Sequence, residues 1–248
     1  MTDSHAHLDA CDDAASVLVE RARDDGVTRI VTIGTGIDSC RAALEIADEH
    51  DGVYAALGIH PHQAGGADAR RMDELRELLA HPKAVAVGET GLDTVRQHAT
   101  LDEQLHLLEA HLDLATELSL PLVVHNREAD VHMADALASF GGPVVLHCFS
   151  SPDLLPEAVD RGYFVSFAGN ATYPSAVALR EAAAVVARDR ILVETDSPYL
   201  APQPRRGRPN EPANVVHTIR ALAHARGESV EELAAATHAN AAAVFSLS

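Results

Sequence analysis

Six side chains of metal-binding type stand at the ends of short apolar runs: His5 and His7 in DSHAH, Glu89 in AVAVGE, His125 in PLVVH, His147 in PVVLH and Asp196 in ILVETD. His5 and His7 are two residues apart, and on an extended strand such residues point to the same side, so both imidazoles can grip one ion. Two incidental histidines would share that spacing. Glu89 separates the readings, because a carboxylate that closes an apolar strand is costly to bury unless it is paired with an arginine or bound to metal. His125, His147 and Asp196 then repeat the arrangement. Four histidines and two carboxylates suit two divalent ions with open positions for water, the composition of a two-metal hydrolytic centre. Asp196 is the expected catalytic proton acceptor and Glu89 the expected bridge. The sole lysine, Lys83, precedes its strand, so a carbamylated-lysine bridge is not expected. Mixed imidazole and carboxylate donors are compatible with Mg, Mn or Zn.

Other residues are expected near the same mouth. His60 and His62 in GIHPH are read as substrate contacts, with a packing role as the alternative. Arg127, just past His125, and Arg206 are expected to hold phosphate oxygens through paired N–H donors, and Asn210 to add an amide hydrogen bond. Arg205 and Arg208 read as solvated surface. Glu194 shares the strand parity of Asp196 and is placed to orient a ligand. The remaining histidines (50, 81, 98, 106, 111, 132, 217, 224 and 238) fall in expected helices or helix ends and read as surface or packing residues. Cys148 reads as core, and GTG at 34–36, without the rest of a phosphate-loop pattern, as a turn.

Elements able to bring these residues together are visible as a repeat. Apolar or β-branched runs occur at 3–7, 28–34, 53–60, 84–89, 121–125, 143–147, 163–168 and 191–196, each followed by a stretch with helical spacing. The clearest helix follows Thr100, where Leu101, Leu105, Leu108, Leu112 and Ala115 step along one stripe. Strand and helix alternating eight times predict an α/β fold, a (β/α)8 TIM barrel in a single domain spanning 1–248. A doubly wound open sheet is the alternative. In the barrel, strand C-termini form the active face, and the candidate ligands fall there. The Pro- and Arg-rich stretch Pro198–Pro212 follows the last strand and is expected to overhang the mouth, with helix closing the fold from Pro212 to Ser248.

Composition excludes other classes. Lys and Arg number 19 against 37 acidic residues, a net charge of −18, which argues against coating a nucleic acid with the general surface. An anionic substrate must be held locally. No run approaches the roughly 20 apolar residues of a membrane span, and the N-terminus lacks a basic and an apolar signal region. A cytoplasmic protein with no membrane contact and no obligate protein partner is expected. Cys11, Cys40 and Cys148 form no CxxC pair and read as reduced thiols.

The strings DSHAHLD, GIHPH, GETGLD, VVHNREA, LHCFS, ETDSPYLAP and RGRPNEPANV resemble, in order, the motifs of TatD-family deoxyribonucleases, from Asp3 to about Phe245. The resemblance implies a metal-dependent hydrolase of the amidohydrolase type on a TIM barrel, with His5, His7, Glu89, His125, His147 and Asp196 as metal ligands. It further implies a phosphodiester substrate and 3′-to-5′ exonuclease action on DNA, with a strand end as partner. One departure is Thr94-Val95 after GLD, where the family often carries aromatic residues. With 4% aromatic content and no Trp, Phe149 and Tyr199 are the stacking candidates at the mouth, which favours a pocket for one strand terminus over a long groove. A hydrolase of small esters, amides or lactones, or an aminoacyl-tRNA deacylase, would use the same centre, since metals alone do not choose between P–O and C–O or C–N cleavage. A non-catalytic barrel with a structural metal is a third possibility, against which the full ligand set speaks.

Overall fold

In the computed structural model, which describes residues 1–96 and 98–247, the apolar runs become eight parallel strands. They are β1 (Thr2–Ala6), β2 (Arg29–Gly34), β3 (Val53–Leu57), β4 (Ala84–Asp93), β5 (Leu122–Arg127), β6 (Val144–Leu146), β7 (Phe164–Phe167) and β8 (Ile191–Val193). Each pairs with the next in chain order. A bridge from Ala6 to Ser197 joins the edges: the Asp196 N–H donates to the His5 carbonyl (2.9 Å) and the His7 N–H to the Ser197 carbonyl (2.8 Å). The sheet is therefore a barrel and not an open doubly wound sheet. Ser248, the last residue of the expected span, lies outside the described residues.

Helices cover the outside: α1 (Ala15–Asp24), α2 (Ile37–Glu49), α3 (Met72–Leu79), α4 (Leu101–Leu118), α5 (Asp130–Leu137), α6 (Leu155–Asp160), α7 (Val177–Val185), α8 (Val215–Arg226) and α9 (Val230–Val244). Among the described residues no helix is long and apolar enough to cross a membrane. Alternate strand residues divide between two cores. Ile30, Leu57, Leu122, Val124 and Val193 pack outward with the helices. Val31, Ile33, Val123, Val145 and Leu192 face inward, where Val244, Phe245 and Leu247 at the end of α9 pack with them.

Helix α4 starts at a capping box, in which Thr100 Oγ1 accepts the Glu103 N–H and the Glu103 carboxylate accepts the Thr100 N–H. Its buried stripe runs through Gln104, Leu107, Leu108, His111, Leu114 and Ala115, whereas Leu101, Leu105 and Leu112 of the expected stripe are half-buried at its edge. The stripe takes in two polar residues because each holds backbone inside the fold. Gln104 Oε1 accepts the Asp93 N–H and its Nε2 donates to the Asp93 carbonyl, while His111 Nε2 accepts the Ile59 N–H (3.0 Å). His111 donates from Nδ1 to the Leu107 carbonyl, and burial pushes its pKa down to about 4.

Strand boundaries differ from the sequence expectation where side chains or helices compete for ladder groups. β3 stops at Leu57 and not at residue 60, since the Ile59 N–H goes to His111 and Pro61 has none to give. β8 stops at Val193, and the Thr195 N–H donates to Asp3 Oδ1. β4 continues past residue 89 to Asp93, with a register shift against β5 between Val87 and Thr90. Gly88 (φ +131°) and Gly91 (φ +140°) permit it: a Cβ at Gly88 would overlap the Val123 carbonyl, and one at Gly91 the His125 carbonyl. Glu89 accordingly leaves a strand interior and not a strand end.

Candidate active site

Inward parity carries the candidate ligands to the upper barrel. His125 stands two residues beyond inward-facing Val123, His147 two beyond Val145, and Glu194 and Asp196 two and four beyond Leu192. Glu89 reaches the same point from the irregular stretch of β4, and its two oxygens face different partners. Oε2 lies 3.5 Å from His5 Nε2 and 3.7 Å from His7 Nε2. Oε1 lies 2.9 Å from His125 Nδ1, 2.9 Å from His147 Nε2 and 3.3 Å from His60 Nε2. Asp196 Oδ1 is 3.4 Å from His7 Nε2 and 3.8 Å from His5 Nε2. Ligand atoms thus gather in three overlapping sets: His5–Glu89–His147, His5–His7–Asp196 and His60–Glu89–His125.

The donor chemistry suits divalent cations. His5 Nε2 faces His7 Nε2 at 3.3 Å, and His125 Nδ1 faces His147 Nε2 at 3.3 Å. Ring nitrogens so placed need a proton or a cation between them. Without a cation, protons take that place. Burial opposes ionisation of Glu89, but the charges on His147 and His60 and hydrogen bonds from His125 and His147 outweigh it and hold the carboxyl well below its usual range. Burial likewise opposes charge on His147, yet Glu89 and Glu194 raise it well above the ordinary imidazole value. His5, with burial and His147 both against its charge, is lowered. Asp196 is lowered against burial by the hydrogen bond and charge of His7.

Around this floor opens a cleft of about 770 Å³ whose wall includes His7, His60, His62, Glu89, His125, Arg127, His147, Asp196 and Tyr199. His5 lies fully buried behind His7. The structure therefore brings together the six expected ligands with His60, His62 and Arg127. It does not bring Arg206 or Asn210 to that wall. The Arg206 guanidinium lies over the Tyr173 ring at 4.1 Å. Asn210 is 2% exposed, donates from Nδ2 to the carbonyls of Thr195 and Tyr199, and accepts the Glu211 N–H and Asn214 Nδ2 on Oδ1, so its amide pins the loop after β8. Of the stacking candidates, Tyr199 is 57% exposed on the rim, while Phe149 is buried edge-on against Phe167. Cys148 borders the cleft rather than the core.

Glu194 is placed as its parity suggests: Oε1 lies 3.3 Å from His147 Nδ1 and accepts the Cys148 N–H. Sequence reasoning passed over Asp3, Asp93 and Arg96. Asp3 Oδ1 accepts the Thr195 N–H and Oδ2 the Thr195 hydroxyl, joining β1 to the segment after β8; burial pushes its pKa up to about 8. Asp93 and Arg96 line the cleft. The signal in the sequence is the carboxylate in GETGLD four residues beyond Glu89, which lies past the apolar run that ends at residue 89. His98, expected in a helix, lies in the loop before α4 with its ring 4.8 Å from that of His62.

The family model described as TatD related DNase matches residues 2–246. The chain belongs to the TatD-related DNase family. It is a hydrolase of the TatD family on a (β/α)8 barrel, as the strand-end candidate ligands and the motif strings suggest. It is 40% identical to a protein of Mycobacterium tuberculosis named uncharacterized metal-dependent hydrolase TatD, over 100% of this chain and 98% of that one. It is 34% identical to the 3′-5′ ssDNA/RNA exonuclease TatD of Citrobacter rodentium, over 93% of this chain and 91% of that one. The crystal structure of YJJV, a TatD homologue from Escherichia coli, superposes with a TM-score of 0.94 at 29% identity, covering 100% of this chain and 98% of that chain.

Proposed function

We propose that this TatD-family chain is a two-metal phosphodiesterase that removes nucleotides from the 3′ end of single-stranded DNA. The observation that carries the reading is the Glu89 carboxylate, whose oxygens are divided between His5 and His7 on one side and His125 and His147 on the other at the floor of an open cleft. His5, His7, Glu89 and Asp196 would hold one ion, and Glu89, His125 and His147 the second, with Mg, Mn or Zn as the candidates. Bound there, divalent cations supply an activated water and offset charge on the ester. Asp196, whose Oδ1 faces His7 Nε2 at 3.4 Å, would accept the proton of the attacking water on its carboxylate. Glu194 holds His147 by its far nitrogen, fixing the ring that faces Glu89.

Arg96 and Arg127 stand in the wall where phosphate oxygens would lie, and His60 and His62 project from the loop after β3. Tyr199 offers an exposed ring for a terminal base. A single rim aromatic among the described residues and a net charge of −18 favour capture of a strand end over a long charged track. The relatives named 3′-5′ ssDNA/RNA exonuclease support the same substrate class.

The test is an end-labelled oligonucleotide incubated with the purified protein and Mg2+, Mn2+ or Zn2+. Stepwise release of mononucleotides from the 3′ end, lost on Asp196→Ala, is expected. An intact oligonucleotide under every metal sinks the nuclease reading, and turnover of a small ester or lactone by that same preparation would transfer the site to carboxyl chemistry.

A further inference from the structure

Asp93 is buried at the end of β4, and nothing in the mechanism above uses it. Its backbone is held at both polar groups by Gln104, at 2.8 and 3.1 Å. Its Oδ1 accepts the N–H groups of Val95 (2.8 Å) and Arg96 (2.9 Å), which fixes the rotation of the carboxylate. Oδ2 is left to face the cleft, 2.8 Å from His62 Nε2 and 3.6 Å from His125 Nε2. The His125 nitrogen is buried and has no hydrogen-bond partner among the described residues, while the opposite nitrogen of that ring, Nδ1, points at Glu89 and His147.

A histidine that ligates metal through one nitrogen has its other N–H directed to an acceptor, and that acceptor decides which nitrogen keeps its lone pair. Among the described residues the one carboxylate oxygen near His125 Nε2 is Oδ2 of Asp93, and a small tilt of the ring brings 3.6 Å to hydrogen-bonding range. We propose that Asp93 is a positioning residue shared by two rings: it receives the Nε2–H of His125, so that Nδ1 presents its lone pair to the metal, and it anchors His62 on the substrate side. The inference rests on His125 being a metal ligand. It adds a physical tie between metal and substrate contacts, because one rigidly held oxygen sets the orientation of both histidines.

Asp93→Asn is a near-isosteric probe. Oδ1 must continue to accept from Val95 and Arg96, so the new amide NH2 takes the place of Oδ2 and offers donors to both rings. His125 Nε2 is then driven to accept, leaving the proton on Nδ1, where the ion would bind. Calorimetric titration with Mn2+ is performed on wild type, Asp93→Asn and His62→Gln, each stripped of metal, together with thermal melts of the stripped proteins. Asp93→Asn is expected to bind one of two ions about 10- to 100-fold more weakly, with an unchanged metal-free Tm, while His62→Gln binds both at wild-type affinity. Two ions bound by Asp93→Asn as tightly as by wild type overturn the inference and leave the metal centre standing. A wild-type protein that binds no divalent ion removes His125 as a ligand and overturns both together. Should Asp93→Asn melt lower, full-strength binding of both ions would still refute the proposal, and a loss confined to one ion in the folded protein would still support it.

Discussion

The two ends of the barrel interior are built from the same strands and are chemically opposite. At the lower end Val31, Ile33, Val123, Val145 and Leu192 close on Phe245, Val244 and Leu247. About two residues further along β5 and β6, roughly 7 Å up the strands, the inward positions become His125 and His147. The lower end is apolar burial, which is non-directional and tolerates exchange of similar volumes. The upper end is a set of charges and imidazoles that burial makes costly unless each has a partner. Stability and chemistry are thereby separated along one axis, so substitutions at the two ends should fail in different ways.

The contrast is sharpest at Asp196. Asp196→Asn keeps the shape and removes the acceptor, and it should lower kcat on single-stranded DNA by on the order of 10³- to 10⁴-fold in a protein that still folds. A variant that unfolds instead would break the separation. Phe245→Ala should do the reverse, costing about 3–5 kcal/mol in urea unfolding while kcat per folded molecule stays near wild type. Loss of kcat at full folding would show that the plug and the centre are coupled.

His111 lies between the two regimes, a core residue on α4 that supports the loop carrying His60. Its folded pKa of about 4 lies below the unfolded value of 6.5, so the unfolded chain binds the proton more readily between those values. Its contribution is fully present above pH 6.5 and is lost as pH falls toward 4, about 3 kcal/mol over the interval. His111→Gln, which can still accept the Ile59 N–H, should flatten that part of the Tm-against-pH curve; an unaltered slope would assign the acid sensitivity to other groups. Smaller effects are expected behind and around the centre. Glu194→Gln should weaken metal binding by about 10- to 100-fold in a competition titration, through His147 alone. Arg127→Ala should raise KM for the oligonucleotide and reduce the slope of log K against log salt by roughly 0.7, the share of one phosphate contact on a single strand. A salt slope that does not move would take Arg127 out of the substrate site.

Period-two alternation and strand–helix repetition made the barrel legible, because they depend on the local order of apolar and polar residues. Two of the candidate ligands were legible for a related reason: a histidine that follows Val-Val or Val-Leu in a buried run, as His125 and His147 do, has few uses other than to face its own kind. His111 and Gln104 could not be read as core from composition, since what makes them core is a backbone N–H or carbonyl on another element. Asn210 had a recognisable loop motif but an amide whose four hydrogen bonds, visible after folding, hold backbone and a neighbouring asparagine.

By itself, then, the sequence determined the strand repeat, the inward parity of His5, His7, His125, His147 and Asp196, and the family. Those are set within a few residues of chain. Tertiary structure decided that Glu89 would divide its oxygens between two pairs of rings, that β4 would run on through Gly88 and Gly91 to bring Asp93 beneath His62 and His125, and that Arg206 would rest on Tyr173. The register of β4 against β5 and the packing of one loop on another place groups from distant parts of the chain within a few ångströms, and no local pattern specifies such distances.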